Sequence, residues 1–438
     1  MPSLISRRTF LQASTLGAAG AASTAAAAAP AQPAGMPASA PAADPTVVAR
    51  DTSYWTKIAS HYDTSAGFTN LENAYYGIMA APVAHDFKRN IDILNKDNSR
   101  LLRQHFDRAG VETIRAQLAA HLGVPVADIA LTRGATESLQ NLIANYLPLR
   151  KGDTVIYADL DYDAMQYAME DLAARRGASL VVVRTPEPAT RQGVLDAYEQ
   201  AMRANPRTRM LLLTHVSHRT GLLFPVAEIT AMARQRGIDV IADVAQSWGQ
   251  IDFRLPDLGA DFVGGNLHKW IGAPLGLGFL YVRKERLADI GVHYGDRDYE
   301  AGDIRSRVHS GTCNAAAAMT IPAALAFHDA IGSANKGARL RYLRDYWVSR
   351  LRSNDKLQIL TPDTPGMSGA VTSFRIKGHT TAVQNIAIAR RLMDEFSIFT
   401  VHRNGPLGGS CIRVTPALFT STGELDRLVD AIGRIAAS

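Results

Sequence analysis

Between residues 153 and 283 the chain repeats one pattern, a short and almost unbroken run of β-prone apolar residues followed by a longer mixed stretch. The runs are DTVIYAD (Asp153 to Asp159), SLVVVRT (Ser179 to Thr185), RMLLLTHV (Arg209 to Val216), DVIADV (Asp239 to Val244), DFVGGN (Asp261 to Asn266) and GLGFLYVR (Gly276 to Arg283). A strand with one face in water alternates polar and apolar residues. These runs do not alternate, so both of their faces must be covered. The stretches between them carry apolar residues at helical spacing, as in VAEITAMARQRG (Val226 to Gly237). Apolar strands separated by helices predict an α/β fold whose mainly parallel sheet is covered by helices. IRAQLAAHLGV (Ile114 to Val124) and TESLQNLIANYL (Thr136 to Leu147) add helices before the first run. After about residue 324, long helices mix with AVTSFRI (Ala370 to Ile376) and SCIRVTP (Ser410 to Pro416), which predicts a smaller α+β domain.

At 438 residues the chain exceeds one ordinary domain. The first residues read differently from the rest. SRRTFLQ (Ser6 to Gln12) places two arginines before Phe-Leu and is followed by the weakly apolar TLGAAGAASTAAAAA (Thr15 to Ala29). That pattern is a twin-arginine export signal over residues 1–29, implying the Tat export machinery as a partner and a periplasmic location. Residues 30–50 are Pro/Ala-rich and read as a linker. The expected organisation continues with a segment at 51–72 joining the small domain, a large domain at 73–324 and a small domain at 325–438. Elsewhere no run reaches ~18 apolar residues, so no membrane span is expected in the mature chain. A net charge of +6 with scattered basic residues describes solvated faces rather than a nucleic-acid footprint. The two cysteines, Cys313 and Cys411, have no metal-ligand spacing, so no metal is expected, and their pairing is left open.

In a parallel sheet of this kind, ligands collect at the carboxyl ends of the strands. Three features fall there. TRGATES (Thr132 to Ser138) is a strand end, a glycine turn and a helix start, where backbone N–H groups and the Thr136 hydroxyl can cradle a phosphate; the same residues also suit a plain helix cap. Asp243 closes an apolar strand, either as a cap for the next turn or as a buried carboxylate in need of a cation. Lys269 sits in GGNLHKWIGAPLGLG (Gly264 to Gly278), among glycines and apolar residues that suit an ammonium badly. It either snorkels to water or is bonded to an aldehyde. Gly276-Leu277-Gly278 precedes a strand and no helix follows, so it is not a dinucleotide turn. A phosphate cradle, a carboxylate and a buried lysine at successive strand ends match pyridoxal 5′-phosphate, which carries a phosphate, a ring nitrogen and an aldehyde.

With these motifs in order along the chain, the region from about Asn70 to Ile432 resembles the class V aminotransferase group of fold-type I pyridoxal-phosphate enzymes. GGNLHKW is most similar to the isopenicillin N epimerase-like branch. The resemblance implies that Ala135 and Thr136 hold the phosphate, that Tyr162 stacks on the cofactor face, and that His218 in THVSHRTG lies near the cofactor hydroxyl. It implies Asp243 at the ring nitrogen with Gln246 beside it, His268 on the phosphate, and Lys269 as the catalytic lysine. In NLENAYYG (Asn70 to Gly77), Asn73 and Tyr75 would approach the substrate. Thr312 in HSGTCN would reach the phosphate of a partner subunit, which implies a homodimer. Arg413 in CIRVTPALF would hold the substrate carboxylate with its guanidinium fork. His218 stands where many relatives have asparagine, and Asn266 where desulfurases have serine. The segment FTVHRNGPLGGSCIR carries no loop cysteine, so desulfuration through such a thiol is not expected.

The resemblance therefore implies an exported enzyme acting at Cα of an amino acid or of an amino-acid-derived, even peptidic, metabolite. Transamination is the first expectation. An epimerase or racemase and a lyase are the alternatives, and a non-catalytic binding protein on the same fold is the rival from another class.

Overall fold

The computed structural model of the protein describes residues 35–437, so the export signal assigned to 1–29 and the first part of the 30–50 linker lie outside the described residues. After a short β1 (Thr69–Asn70), seven strands build the central sheet: β2 (Ile129–Thr132), β3 (Thr154–Ala158), β4 (Ser179–Val183), β5 (Thr208–Thr214), β6 (Asp239–Asp243), β7 (Phe262–Asn266) and β8 (Gly278–Val282). Their spatial order is β2-β8-β7-β6-β5-β3-β4. β3, β7 and β8 are buried along their whole length, as expected of strands covered on both faces. Successive residues feed opposite cores. Val155, Met210 and Leu212 join the Leu139 and Met165 side, while Ile156, Leu211 and Leu213 join the Leu118 and Ile229 side. β4, at one end of the sheet, is the least covered, with Val183 alone buried.

One strand runs against the rest. β8 is antiparallel to both β7 and β2, while β3 to β7 pair in parallel. Parallel pairing needs a long crossover, usually helical. Residues 267–277 carry no helix, so the chain can only turn back on itself. That short return brings Gly278 opposite both Asn266 and Thr132, and it places the Lys269 turn at the carboxyl edge of the sheet.

A second sheet, order β12-β13-β10-β9, is antiparallel and comes from β9 (Leu357–Ile359), β10 (Thr372–Ile376), β12 (Val401–Arg403) and β13 (Cys411–Val414). Helices Ser333–Leu351, Ala382–Phe396 and Thr422–Ala437 share a core with it around Trp347, Phe374, Leu392 and Leu428. β11 (Ile398–Phe399) pairs in parallel with β1, and Glu72 bridges to Thr415, so the segment before the large sheet is stitched to the second one. Ahead of it, the Pro/Ala-rich stretch is held against the body. Ala40 N–H donates to the Ala330 carbonyl at 3.1 Å, Val48 is buried, and the Trp55 indole N–H donates to the Val48 carbonyl at 2.7 Å. Among the described residues no single helix is long and apolar enough to cross a membrane.

Trp347 is fully buried and stands edge-on to Phe374, with ring centroids 6.4 Å apart. Trp347→Ala should therefore lower unfolding stability by about 3–5 kcal/mol, read from the shift of the urea midpoint. A loss below about 1 kcal/mol would show that this core is not built around the indole.

Candidate active site

A cavity of about 940 Å³ opens at the carboxyl edge of β2, β5, β6 and β7. Of the residues expected at the site, Ala135, Thr136, Tyr162, His218, Asp243, Gln246, His268, Lys269, Arg413 and Tyr75 all line it. They come from strand ends, a helix start and loops spread over the chain, with Arg413 supplied by the second sheet.

The phosphate end is built where β2 turns into helix Ala135–Ala144. A helix N-terminus presents N–H groups with no partner inside the helix and a partial positive charge. Asn266 Oδ1 takes the first of these, accepting from Ala135 N at 2.7 Å, and so pins the turn to the end of β7. The Ala135 amide is thus engaged by the chain itself, which leaves the amides of Thr136 and Glu137 and the exposed Thr136 hydroxyl toward the cavity. The start of β8 presses on the same turn. A Cβ on Gly278 would stand 2.5 Å from Gly134 Cα, so only glycine fits there. The His268 imidazole lies over the turn, and its Nδ1 donates to the Leu277 carbonyl at 3.0 Å. Burial, helped by Lys269, pushes its pKa down to about 4, so the ring is neutral with Nε2 as an acceptor. A phosphate contact there needs a shared proton.

Asp243 and Lys269 form the other end. Asp243 closes β6, is buried, and accepts from Ala245 N at 2.8 Å through Oδ1. Burial raises its pKa, while the Ala245 N–H and the Lys269 charge pull it back. A buried carboxylate with one backbone donor calls for a cation, and a protonated ring nitrogen would supply it. Lys269 stands between the main cavity and a second one of about 40 Å³. Burial lowers its pKa to about 8, opposed by Asp243 and helped by Arg413. The turn beneath it is fixed on two sides. Gly77 N–H donates to the His268 carbonyl at 2.9 Å, and a Cβ on Gly77 would overlap the Lys269 carbonyl oxygen. From below, the Lys336 ammonium donates to the Trp270 carbonyl; its pKa is pushed down to about 7 by burial.

Tyr162, the flat side chain expected over a cofactor ring, lines the cavity. Tyr162 leads into helix Asp163–Arg176, and Asp161 fixes its loop by accepting from Ala158 N at 2.7 Å and Thr214 N at 3.1 Å. Tyr162 meets His218 edge-on, centroids 5.3 Å apart. Burial first, then Arg219 and Arg413, hold His218 well below its usual pKa, so it is neutral.

Several residues do other work than the sequence implied. Both ends of the Gln246 amide are used within the protein: Nε2 donates to the Ala74 carbonyl at 2.7 Å, and Oε1 accepts from the Trp270 indole at 3.2 Å. Asn73 does not reach the main cavity; its amide donates to the Thr415 carbonyl at 2.8 Å. Thr312, expected to serve a partner subunit rather than its own cavity, is exposed and lies outside this cavity's lining. Arg413 is at the cavity, but the carboxylate it holds belongs to Glu72, while its Nη1 donates to the His218 carbonyl at 2.6 Å. Glu72, Arg403 and the pair His293 and Tyr294 are not marked by the sequence, because nothing in their local spacing distinguishes them. Both cysteines are free thiols, and neither lines the cavity.

The open amides of a helix N-terminus, a buried carboxylate short of a cation and a lysine shifted toward neutrality fit pyridoxal 5′-phosphate group by group. Residues 98–395 match the family model described as aminotransferase class-V. The chain is 31% identical over 335 residues to isopenicillin N epimerase of Streptomyces clavuligerus, covering 73% of this chain and 82% of that one. Among solved structures, a cysteine desulfurase from Escherichia coli superposes with a TM-score of 0.74 at 21% identity, over 87% of this chain and 98% of that one. A lysine-to-alanine mutant of C-DES, with glycine covalently linked to its pyridoxal-phosphate cofactor, gives a TM-score of 0.72 at 21% identity, over 85% and 97%.

The lysine shift sets a pH dependence. With its pKa lowered to about 8 from 10.5, Lys269 is largely charged at pH 6.5 and largely neutral at pH 9. Only the neutral amine attacks an aldehyde. The rate at which cofactor-free protein captures pyridoxal 5′-phosphate should rise through pH 8 and level off by about pH 9, followed by stopped-flow absorbance. A rise continuing past pH 10 would show an ordinary lysine.

Proposed function

Because the chain belongs to the class-V aminotransferase family, we propose that it is an exported enzyme that transaminates an amino acid or an amino-acid-derived metabolite. It is a pyridoxal-phosphate enzyme with the fold-type I architecture. The observation that carries the reading is Lys269, a buried amine lowered toward neutrality, facing the same cavity as the helix N-terminus and Asp243.

When bound, pyridoxal phosphate supplies an electron sink for charge developing at the substrate Cα. The first turn of helix Ala135–Ala144 and the Thr136 hydroxyl hold the phosphate against the helix dipole. Asp243 keeps a proton on the ring nitrogen, and Tyr162 offers a flat face for the ring. Lys269 Nζ takes the Cα proton, since a neutral amine near the working pH is a competent general base. Transamination would require Lys269 to return that proton to the cofactor rather than to Cα; water would then release the substrate as a 2-oxo compound, leaving its amino group with the cofactor for a second 2-oxo acid to take up.

Epimerisation is the second reading. The likeness to isopenicillin N epimerase favours it. A thiol-based desulfuration finds no support: Cys411 is buried in β13 with its pKa pushed up to about 11 by burial, away from the cavity. SRRTFLQ supports export through the twin-arginine route to the periplasm. Tyr75 and Tyr294, 71% and 87% exposed on the cavity rim, support a homodimer in which a second copy covers them.

Two measurements test the reading. Borohydride should fix the cofactor to the peptide containing Lys269, and Lys269→Ala should abolish that label; a label on another lysine overturns the assignment. Incubated in deuterated water with a panel of amino acids and a 2-oxo acid as amino acceptor, the enzyme should form the 2-oxo acids of the donors. Inversion at Cα with deuterium incorporation and no 2-oxo acid would replace transamination with epimerisation.

A further inference from the structure

Arg413 is poorly placed to receive anything from the cavity. Its side chain is 1% exposed, Nη1 is bonded to the His218 carbonyl and Nη2 to Glu72. Glu72 is itself buried at 6%, and it reaches Arg413 from the segment just after β1. Drawing Glu72 away to admit a substrate carboxylate would strand one buried charge to satisfy another. Breaking a buried pair in this way is strongly unfavourable.

The neighbouring guanidinium is more loosely held and more open than Arg413. Arg403, on β12, lines the same cavity, is 27% exposed and stands 3.5 Å from the same Glu72 oxygen. Its Nη2 donates to that oxygen only at this long 3.5 Å reach, its Nη1 donates to the adjacent His402 carbonyl at 3.2 Å, and its Nε has no hydrogen-bond partner. The other charges facing this end are offset, Lys269 by Asp243 within the same cavity. Arg219 is paired with Asp163 and bonded to the Asn404 carbonyl, while burial keeps both His218 and His402 toward their neutral forms. Two guanidiniums against the single Glu72 carboxylate leave one uncompensated positive charge, and Arg403 is where it meets the cavity.

We infer that Arg403 receives the substrate carboxylate, while Glu72 retains Arg413 as a buried prop and limits this end of the cavity to one carboxylate. Arg403 is thus a binding residue, and Glu72 and Arg413 are positioning residues. This rests on the reading of the protein as an enzyme of amino-acid-like substrates, and it narrows the substrate class to amines that present a single carboxylate here.

The test uses the pyridoxal-phosphate holoenzyme and two probes, propionate and maleate, with chloride at matched ionic strength as the control. Thermal melting reports binding to the native state whether or not turnover occurs. In the parent protein both probes should raise Tm beyond chloride, with similar apparent Kd. Arg403→Gln should weaken propionate by at least about tenfold, and Arg403→Lys, which keeps the charge, should restore most of it. Glu72→Gln uncovers the second cation, so maleate should then bind at least about tenfold tighter relative to propionate than in the parent. Should Arg403→Gln fail to fold, the Arg403→Lys and Glu72→Gln arms decide. No shift with propionate in the parent, an Arg403→Gln affinity within twofold of the parent, or an unchanged maleate preference in Glu72→Gln would each overturn the inference. Borohydride labelling of Lys269 on the same preparations separates the two readings. Label present with Arg403 silent sinks only this inference, and label absent with Arg403 binding propionate sinks only the cofactor reading.

Discussion

The reversal between β7 and β8 is the constraint on which the site depends. A parallel β8 would need a helix to carry the chain back to the far edge, and that helix would occupy the space above Asp243. The tight return through residues 267–277 keeps the chain at the carboxyl edge. Lys269 is then delivered beside Asp243, and the first residue of β8 is delivered against the phosphate turn. Three glycines serve this crossing. Gly134 and Gly278 let two backbones touch, and Gly77 lets the N-terminal segment lie on the Lys269 carbonyl. Side chains at any of the three would separate the phosphate end from the lysine end.

Around that turn the protein spends stability on charge. Lys269, Asp243 and Arg413 are all taken out of water, and burial is the largest cause of each pKa shift. Each is left with an imperfect partner: Asp243 has one backbone donor, Lys269 has a carboxylate that only partly offsets its desolvation, and the Nε of Arg413 has none. Groups strained in this way gain from a ligand that supplies the missing counter-charges. A phosphate, a ring nitrogen and an aldehyde on one rigid molecule do so together. The second buried lysine, Lys336, shows the contrast: it holds a backbone carbonyl from behind the turn, lines only the small cavity and has a purely supporting place.

The parallel part of the fold was legible because a strand buried on both faces cannot hide its composition. The runs ending at Asp243 and Asn266 appear as strands over nearly the residues read from the sequence. Lys269, Asp243 and Thr136 were legible for a related reason, since a polar residue at the end of an apolar run needs explaining. The direction of β8 was not legible: apolar runs look alike in both directions, and only the missing helix in the loop betrays the turn. Nor were the fates of Gln246, Asn73 and Arg413. Each keeps the residue type that suits a ligand, and each is claimed by a partner 172 to 342 positions away. Local sequence carries no record of such pairings, so Glu72, ordinary in its own neighbourhood, could not be recognised as the group that occupies Arg413.

Those long-range pairings bear on when the site can form. Residues 69–77 meet both ends of the catalytic architecture: β1 on β11, Asn73 on Thr415, Glu72 on Arg413, Ala74 on Gln246 and Gly77 on His268. The segment that lies on the Lys269 turn is thus itself held by the last strands of the chain. Contacts of such separation form late, because loop-closure entropy must be met before they reward it. A chain threaded through a membrane unfolded would have to complete this closure, and load its cofactor, on the far side. Under the export reading, passage in the folded state removes that difficulty, because closure and loading both precede transport.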